Sequence, residues 1–203
     1  MFKNIFCIFF IAVLINVGVK NLKLDFQLQD KINNQLTADV DLDKIKHLEL
    51  NEVYNGPNCV YSQSSGIDLS SYHCFDDSNA LTFDAPFDIN TFEFVYLPKP
   101  QIGKGFITVT NNGNTLKMPI NIKEVSYCSA YFEIDQNKAN SNNNTVDKLY
   151  YLIRGDSGSP ITQLKNGKEM VVGLFWQAVP NLPPASDNRS RADNGNLVYK
   201  PCK

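Results

Sequence analysis

Apolar and polar positions divide this chain into two regimes. Lys3 precedes an apolar run over 5–19, broken only by Asn16 and Gly18, and the chain turns polar at Lys20 and Asn21. A basic residue ahead of a short apolar run is the pattern of an export signal, whereas a bilayer-spanning helix needs about 20 unbroken apolar residues. Residues 1–19 are therefore read as a signal peptide, cleaved near 18–20. In 20–50, Leu22, Leu24, Phe26 and Leu28 alternate before a charged stretch at 39–49, and the segment is either a propeptide or a first strand. From Cys59 onward the pattern changes to short apolar or alternating runs at 91–97, 106–110, 116–122, 127–134, 149–153 and 170–176. Each is bounded by Gly, Pro, Asn or Asp, the punctuation of an antiparallel β protein. Asn112-Gly113 between two such runs predicts a tight hairpin, because that turn requires positive φ. The Asn-rich 137–145 and the polar 180–195, with Pro183-Pro184, are predicted surface loops. Each holds one glycosylation sequon, at Asn143 and Asn188.

With 203 residues, 43% hydrophobic and 20% charged, the chain has the composition of an ordinary globular protein. Its net charge is −2; loss of Lys3 with the leader leaves 18 basic against 21 acidic residues, or −3. Lys and Arg are scattered and not interleaved with aromatics, so neither nucleic acid nor another polyanion is an expected partner. No second long apolar run follows the leader, so no membrane partner is expected after its removal. Cys7 leaves with the leader, and Cys59, Cys74, Cys128 and Cys202 remain, an even set that suits disulfides in an oxidising compartment. Spacing does not choose among their three pairings. A zinc site is disfavoured by two histidines and no C-x-x-C. The expectation is a secreted, extracellular monomer with no metal and no cofactor.

The chemistry concentrates in Arg154-Gly155-Asp156-Ser157-Gly158-Ser159-Pro160. A serine hydroxyl becomes a nucleophile only when a base takes its proton and N–H groups hold the oxyanion. Gly155 and Gly158 permit the backbone angles that let the N–H groups of Gly155 and Ser157 converge on one oxygen. A plain surface turn has the same composition, but the match continues through Ile161-Thr162, the Asn166-Gly167 turn and Val171-Val172-Gly173-Leu174-Phe175-Trp176. That stretch resembles the chymotrypsin-fold serine proteases, with Ser159 in place of the usual second glycine, as in glutamyl endopeptidases and related bacterial and viral members.

The resemblance implies an all-β fold of two six-stranded antiparallel Greek-key barrels with trimmed loops, occupying 51–203 and divided near residue 120. Leu69-Ser70-Ser71-Tyr72-His73-Cys74 resembles the family's histidine segment. It implies His73 as base and a Cys59–Cys74 bridge, which leaves Cys128 with Cys202. Asp88, opening Asp88-Ile89-Asn90-Thr91-Phe92-Glu93-Phe94, resembles the segment of the orienting acid, with Asp84 in reserve. Tyr151 stands where trypsin-like members carry the pocket aspartate, and Trp176 takes the place of a substrate-binding tryptophan. No Ile-Val-Gly-Gly activation site precedes the domain, so Asp156 needs a partner other than a new N-terminal amine. The function implied is a secreted endopeptidase cleaving protein or peptide substrates through His73, Asp88 and Ser157. A silent relative acting as a binding module, and an esterase with the same triad, are the alternatives.

Overall fold

A computed structural model describes residues 44–56, 58–76, 83–111, 113–139, 150–184 and 190–202. The signal over 1–19, the segment 20–43 and the sequon asparagines Asn143 and Asn188 lie outside the described residues. The unit that contains the candidate chemistry runs from Val40 to Lys203.

Its described strands, in chain order, are β1 (Leu48–Asn55), β2 (Val60–Ser64), β3 (Ile67–Ser71), β4 (Pro86–Asp88), β5 (Glu93–Phe94), β6 (Gly103–Asn111) and β7 (Asn114–Val125). They continue as β8 (Ser129–Ile134), β9 (Leu152–Ile153), β10 (Pro160–Lys165), β11 (Lys168–Gln177), β12 (Arg191–Ala192) and β13 (Asn194–Val198). The fold is all-β. Six strands close an antiparallel barrel in the order β6, β7, β8, β13, β11, β10 and back to β6. Period-2 patterning accounts for its wall: Met118, Ile120 and Ile122 on β7, and Ala130, Phe132 and Ile134 on β8, turn alternate side chains into the core. Phe132 and Phe175 meet edge to face across the interior at 6.1 Å. The predicted hairpin joins β6 to β7, with Asn111 paired to Asn114 and Gly113 at φ +78°.

The N-terminal strands β1 to β5 form an antiparallel meander that joins the barrel where Leu48 and Glu49 pair with Val171 and Met170. Among the described residues no ladder joins β5 back to β1; one isolated bridge, Ile45 to Tyr96, links the two ends of the meander. The closed barrel draws its first strand from residue 103, and β7 runs through residue 120. Residues 48–50 are the start of β1.

Both disulfides have the pairing that the resemblance implies: Cys59 with Cys74, Cα atoms 6.0 Å apart, and Cys128 with Cys202, 5.3 Å apart. The first anchors the His73 segment to the start of β2. The second ties the turn before β8 to the end of the described chain.

Candidate functional site

The antiparallel register of β3 and β4 explains which carboxylate meets His73. Ser71 pairs with Pro86 and Leu69 with Asp88, and the Tyr72 N–H donates to the Ala85 carbonyl. One more step along this ladder sets His73 opposite Asp84. Accordingly the His73 backbone N–H donates to Asp84 Oδ1 at 3.1 Å, and Nδ1 lies 2.9 Å from Oδ2. The Asp84 side chain is 0% exposed and that of His73 13%. Asp88, expected to orient the histidine, sits at the other end of β4, and its Oδ1 accepts the Asn90 N–H at 2.9 Å in a local turn. The reserve residue, Asp84, therefore replaces Asp88 as the partner of His73.

An aromatic cluster holds this pair. Tyr72, beside His73, packs edge to face against Phe83, beside Asp84, at 5.5 Å, and also against Phe87 and Phe94 at 5.4 Å. Such pairs add about 0.5–1.5 kcal/mol each beyond area burial. Burial, helped by the Asp76 carboxylate that accepts the Tyr72 hydroxyl at 3.1 Å, pushes the Tyr72 phenol up to about 12.

Ser157 lies in the loop between β9 and β10. Three contacts fasten this loop to the meander that carries His73. The Val60 N–H donates to the Ser157 carbonyl at 2.8 Å, next to the Cys59–Cys74 bridge. The Phe175 carbonyl accepts both the Gly158 N–H at 2.8 Å and the Ser71 hydroxyl at 3.1 Å. Gly158 itself is required twice over. Its φ is +83°, and a Cβ there would stand 2.3 Å from the Val60 carbonyl oxygen and 2.5 Å from Ser70 Oγ. Gly155, at φ +102°, faces open space, so its requirement is conformational alone.

The loop's N–H groups divide into two sets. Those of Asp156, Gly158 and Ser159 donate to the carbonyls of Ile153, Phe175 and Asp156. Those of Gly155 and Ser157 enter none of the hydrogen bonds among the described residues. Two such donors flanking a nucleophile are what an oxyanion needs. Asp156 is buried and one carboxylate oxygen accepts the Ile153 N–H at 2.8 Å. The Ser157 hydroxyl donates to the Trp176 carbonyl at 3.2 Å, and no hydrogen bond from it to His73 occurs among the described residues.

Tyr151 and Trp176 flank the same loop. Arg191 lies over the Tyr151 ring at 4.8 Å, and its strand pairs with β9, Arg191 opposite Ile153. This strand pairing ties the start of the loop by main-chain hydrogen bonds at Leu152 and Ile153. Sequence reasoning passed over Arg191 because it lies in a segment rich in turn residues, read as a loop. Cys59, His73 and Cys74 form the sole metal-like group of three found among the described residues. Both sulfurs are oxidised in one disulfide and offer no thiolate, so the group does not fit a metal.

The all-β architecture, the closed barrel and the two disulfides are compatible with the chymotrypsin-like fold. No protein-family model matches the chain, and a search of curated proteins finds no similar sequence.

Proposed function

We propose that the chain is a secreted serine endopeptidase of the chymotrypsin-like class, built on two barrels, that cleaves peptide bonds through an acyl-enzyme. The observation that carries this reading is the buried Asp84 carboxylate on His73 Nδ1, in the connection between β3 and β4 of a meander fastened to the Ser157 loop. A neutral imidazole that donates from Nδ1 to a carboxylate keeps its lone pair on Nε2. The Ser157 hydroxyl turns from the Trp176 carbonyl to that nitrogen. His73 then takes its proton as Oγ attacks the substrate carbonyl, and the N–H groups of Gly155 and Ser157 hold the oxyanion. His73 returns the proton to the leaving amine, and water, activated in the same way, releases the acyl group. Asp84 fixes the ring by accepting from Nδ1 and from the His73 backbone N–H. Two disulfides and the signal pattern support an extracellular setting.

The hydrogen bond from Ser157 to Trp176 favours a second reading, a silent homologue that uses the fold as a binding module. Treatment with a fluorophosphonate probe separates the two. The endopeptidase reading expects covalent labelling of the mature protein, lost in Ser157→Ala and in His73→Ala, together with hydrolysis of a casein substrate. Failure to label folded protein overturns it. Hydrolysis of esters without any cleavage of peptides assigns the same triad to an esterase.

A further inference from the structure

At the far end of β10 from Ser157, where the linker after Leu97 enters β6, the surface holds a recess of about 500 Å³. It is walled by β6, β7, β10 and β11. β10 is six residues long and so spans about 20 Å at some 3.3 Å per residue, which separates the recess from the nucleophile loop. The floor is apolar: Ile120 and Val172 are buried there and Met170 is half-buried. Two large apolar side chains of this region stand out into solvent, Ile102 at 71% exposure and Leu164 at 65%. Four basic side chains face the recess, His47, Lys99, Lys104 and Lys165, against a single carboxylate, Asp135.

The ion pairs elsewhere on the barrel sharpen this asymmetry. Lys117, Lys123 and Lys168 each pair with a carboxylate, those of Glu169, Glu133 and Glu49. Lys99, Lys104 and Lys165 enter no ion pair among the described residues. In a chain of net charge −2, lysines with no ion-pair partner among the described residues thus gather around this apolar hollow. The wall is also preformed. The Gln163 side chain accepts the Gln101 N–H at 2.9 Å and donates to the carbonyls of Gln101 and Lys104 at 2.9 and 3.2 Å, which locks the entering linker to β10.

We propose that this recess binds an acidic peptide segment that carries apolar side chains. A carboxylate-rich strand satisfies the unpaired lysines, and its apolar side chains cover Ile102 and Leu164 and enter the hollow. A flat lipid surface meets a protruding face better than a concave one. Bases of nucleic acid find no stacking platform, since Phe106, the aromatic ring here, is covered by Lys117 at 4.4 Å. The site does not depend on Ser157 chemistry, and its occupancy leaves the nucleophile loop open.

The test uses the full mature protein carrying Ser157→Ala, so that no cleavage occurs, and a fluorescein-labelled Glu-Asp-Ile-Glu-Glu-Leu-Asp-Glu peptide, followed by anisotropy at low salt. The expected result is saturable binding, weakened about tenfold or more by Lys99→Glu/Lys104→Glu/Lys165→Glu and several-fold by Ile102→Ser/Leu164→Ser. Lys123→Gln, on a paired lysine, leaves it unchanged. These substitutions are at exposed positions, and circular dichroism checks that each variant is folded. The proposal is overturned if the wild-type surface does not bind the peptide. It is equally overturned if the triple variant binds as well, if a Lys-for-Glu peptide binds equally, or if vesicles containing phosphatidylglycerol bind the protein and the peptide fails to displace it.

Discussion

Replacement of Asp84 and Asp88, one at a time, by asparagine separates the two carboxylates that the sequence left in competition. Asp84 receives two donors from one residue, the His73 N–H on Oδ1 and Nδ1 on Oδ2, in a site where its side chain is 0% exposed. An asparagine there still offers an oxygen to the backbone N–H but turns an NH2 toward Nδ1. The ring then presents its lone pair to the amide and its N–H to Ser157, the wrong tautomer for a base. The expected loss in acylation rate is about 10⁴-fold, or roughly 5 kcal/mol of barrier. Asp84→Ala additionally leaves two donors without an acceptor and costs about 1–3 kcal/mol of stability for each that stays buried. Asp88→Asn keeps an oxygen for the Asn90 N–H, so its labelling rate should stay near wild type and its stability within about 1 kcal/mol. Rates of fluorophosphonate labelling, alongside thermal melts to confirm folding, measure both. Wild-type labelling by Asp84→Asn, or a large loss in Asp88→Asn, would refute the assignment drawn from the β3–β4 register.

Three further outcomes follow from the packing. Gly158→Ala should both destabilise the fold by about 2 kcal/mol or more and abolish labelling, since positive φ and the Val60 carbonyl oppose it together; a stable, active variant would show that the two halves separate easily. Cys128→Ser/Cys202→Ser opens a loop of sequence separation 74, for which chain entropy gives about 4.5 kcal/mol, read as a fall in denaturant midpoint; an unchanged midpoint would refute it. Tyr72 predicts alkaline lability. Its folded value of about 12 exceeds its unfolded value near 10, so the neutral form is favoured in the fold; the stabilisation is complete below pH 10 and is lost between 10 and 12, at up to about 1.4 kcal/mol per pH unit. Urea titrations at pH 9 and 11 should give a smaller loss for Tyr72→Phe than for wild type, even though other tyrosines contribute to the same slope.

Much of the barrel was legible because its strands alternate. Met118, Ile120 and Ile122, then Ala130, Phe132 and Ile134, announce β7 and β8 by period alone. The meander was harder to read. β2 and β3 bury Ser62, Ser64, Ser70 and Ser71, and a run of serines has no hydrophobic signature even when it is wholly inside. β13 was read as loop through Gly195, since Asn and Gly carry turn signals that pairing with Phe132 and Tyr131 overrides. Ser157 and His73 were singled out by local motif. Asp84 was ranked second because the deciding information is a strand register: residues equally displaced from a chain reversal face each other, and nothing local at Asp84 or Asp88 reports where the reversal lies. The link between Gly158 and the Val60 carbonyl is likewise a property of two distant backbones.

The position of β13 in the barrel imposes an order in time. It is the last of the described strands along the chain, yet it stands between β8 and β11, and β11 supplies the Phe175 carbonyl that fixes Gly158. A growing polypeptide therefore exposes His73, Asp84 and Ser157 before β13 can close the ring that holds the Ser157 loop. Under the proposed endopeptidase reading, the triad residues are made before their arrangement, and the pairing of β13 with β8 and β11 completes it.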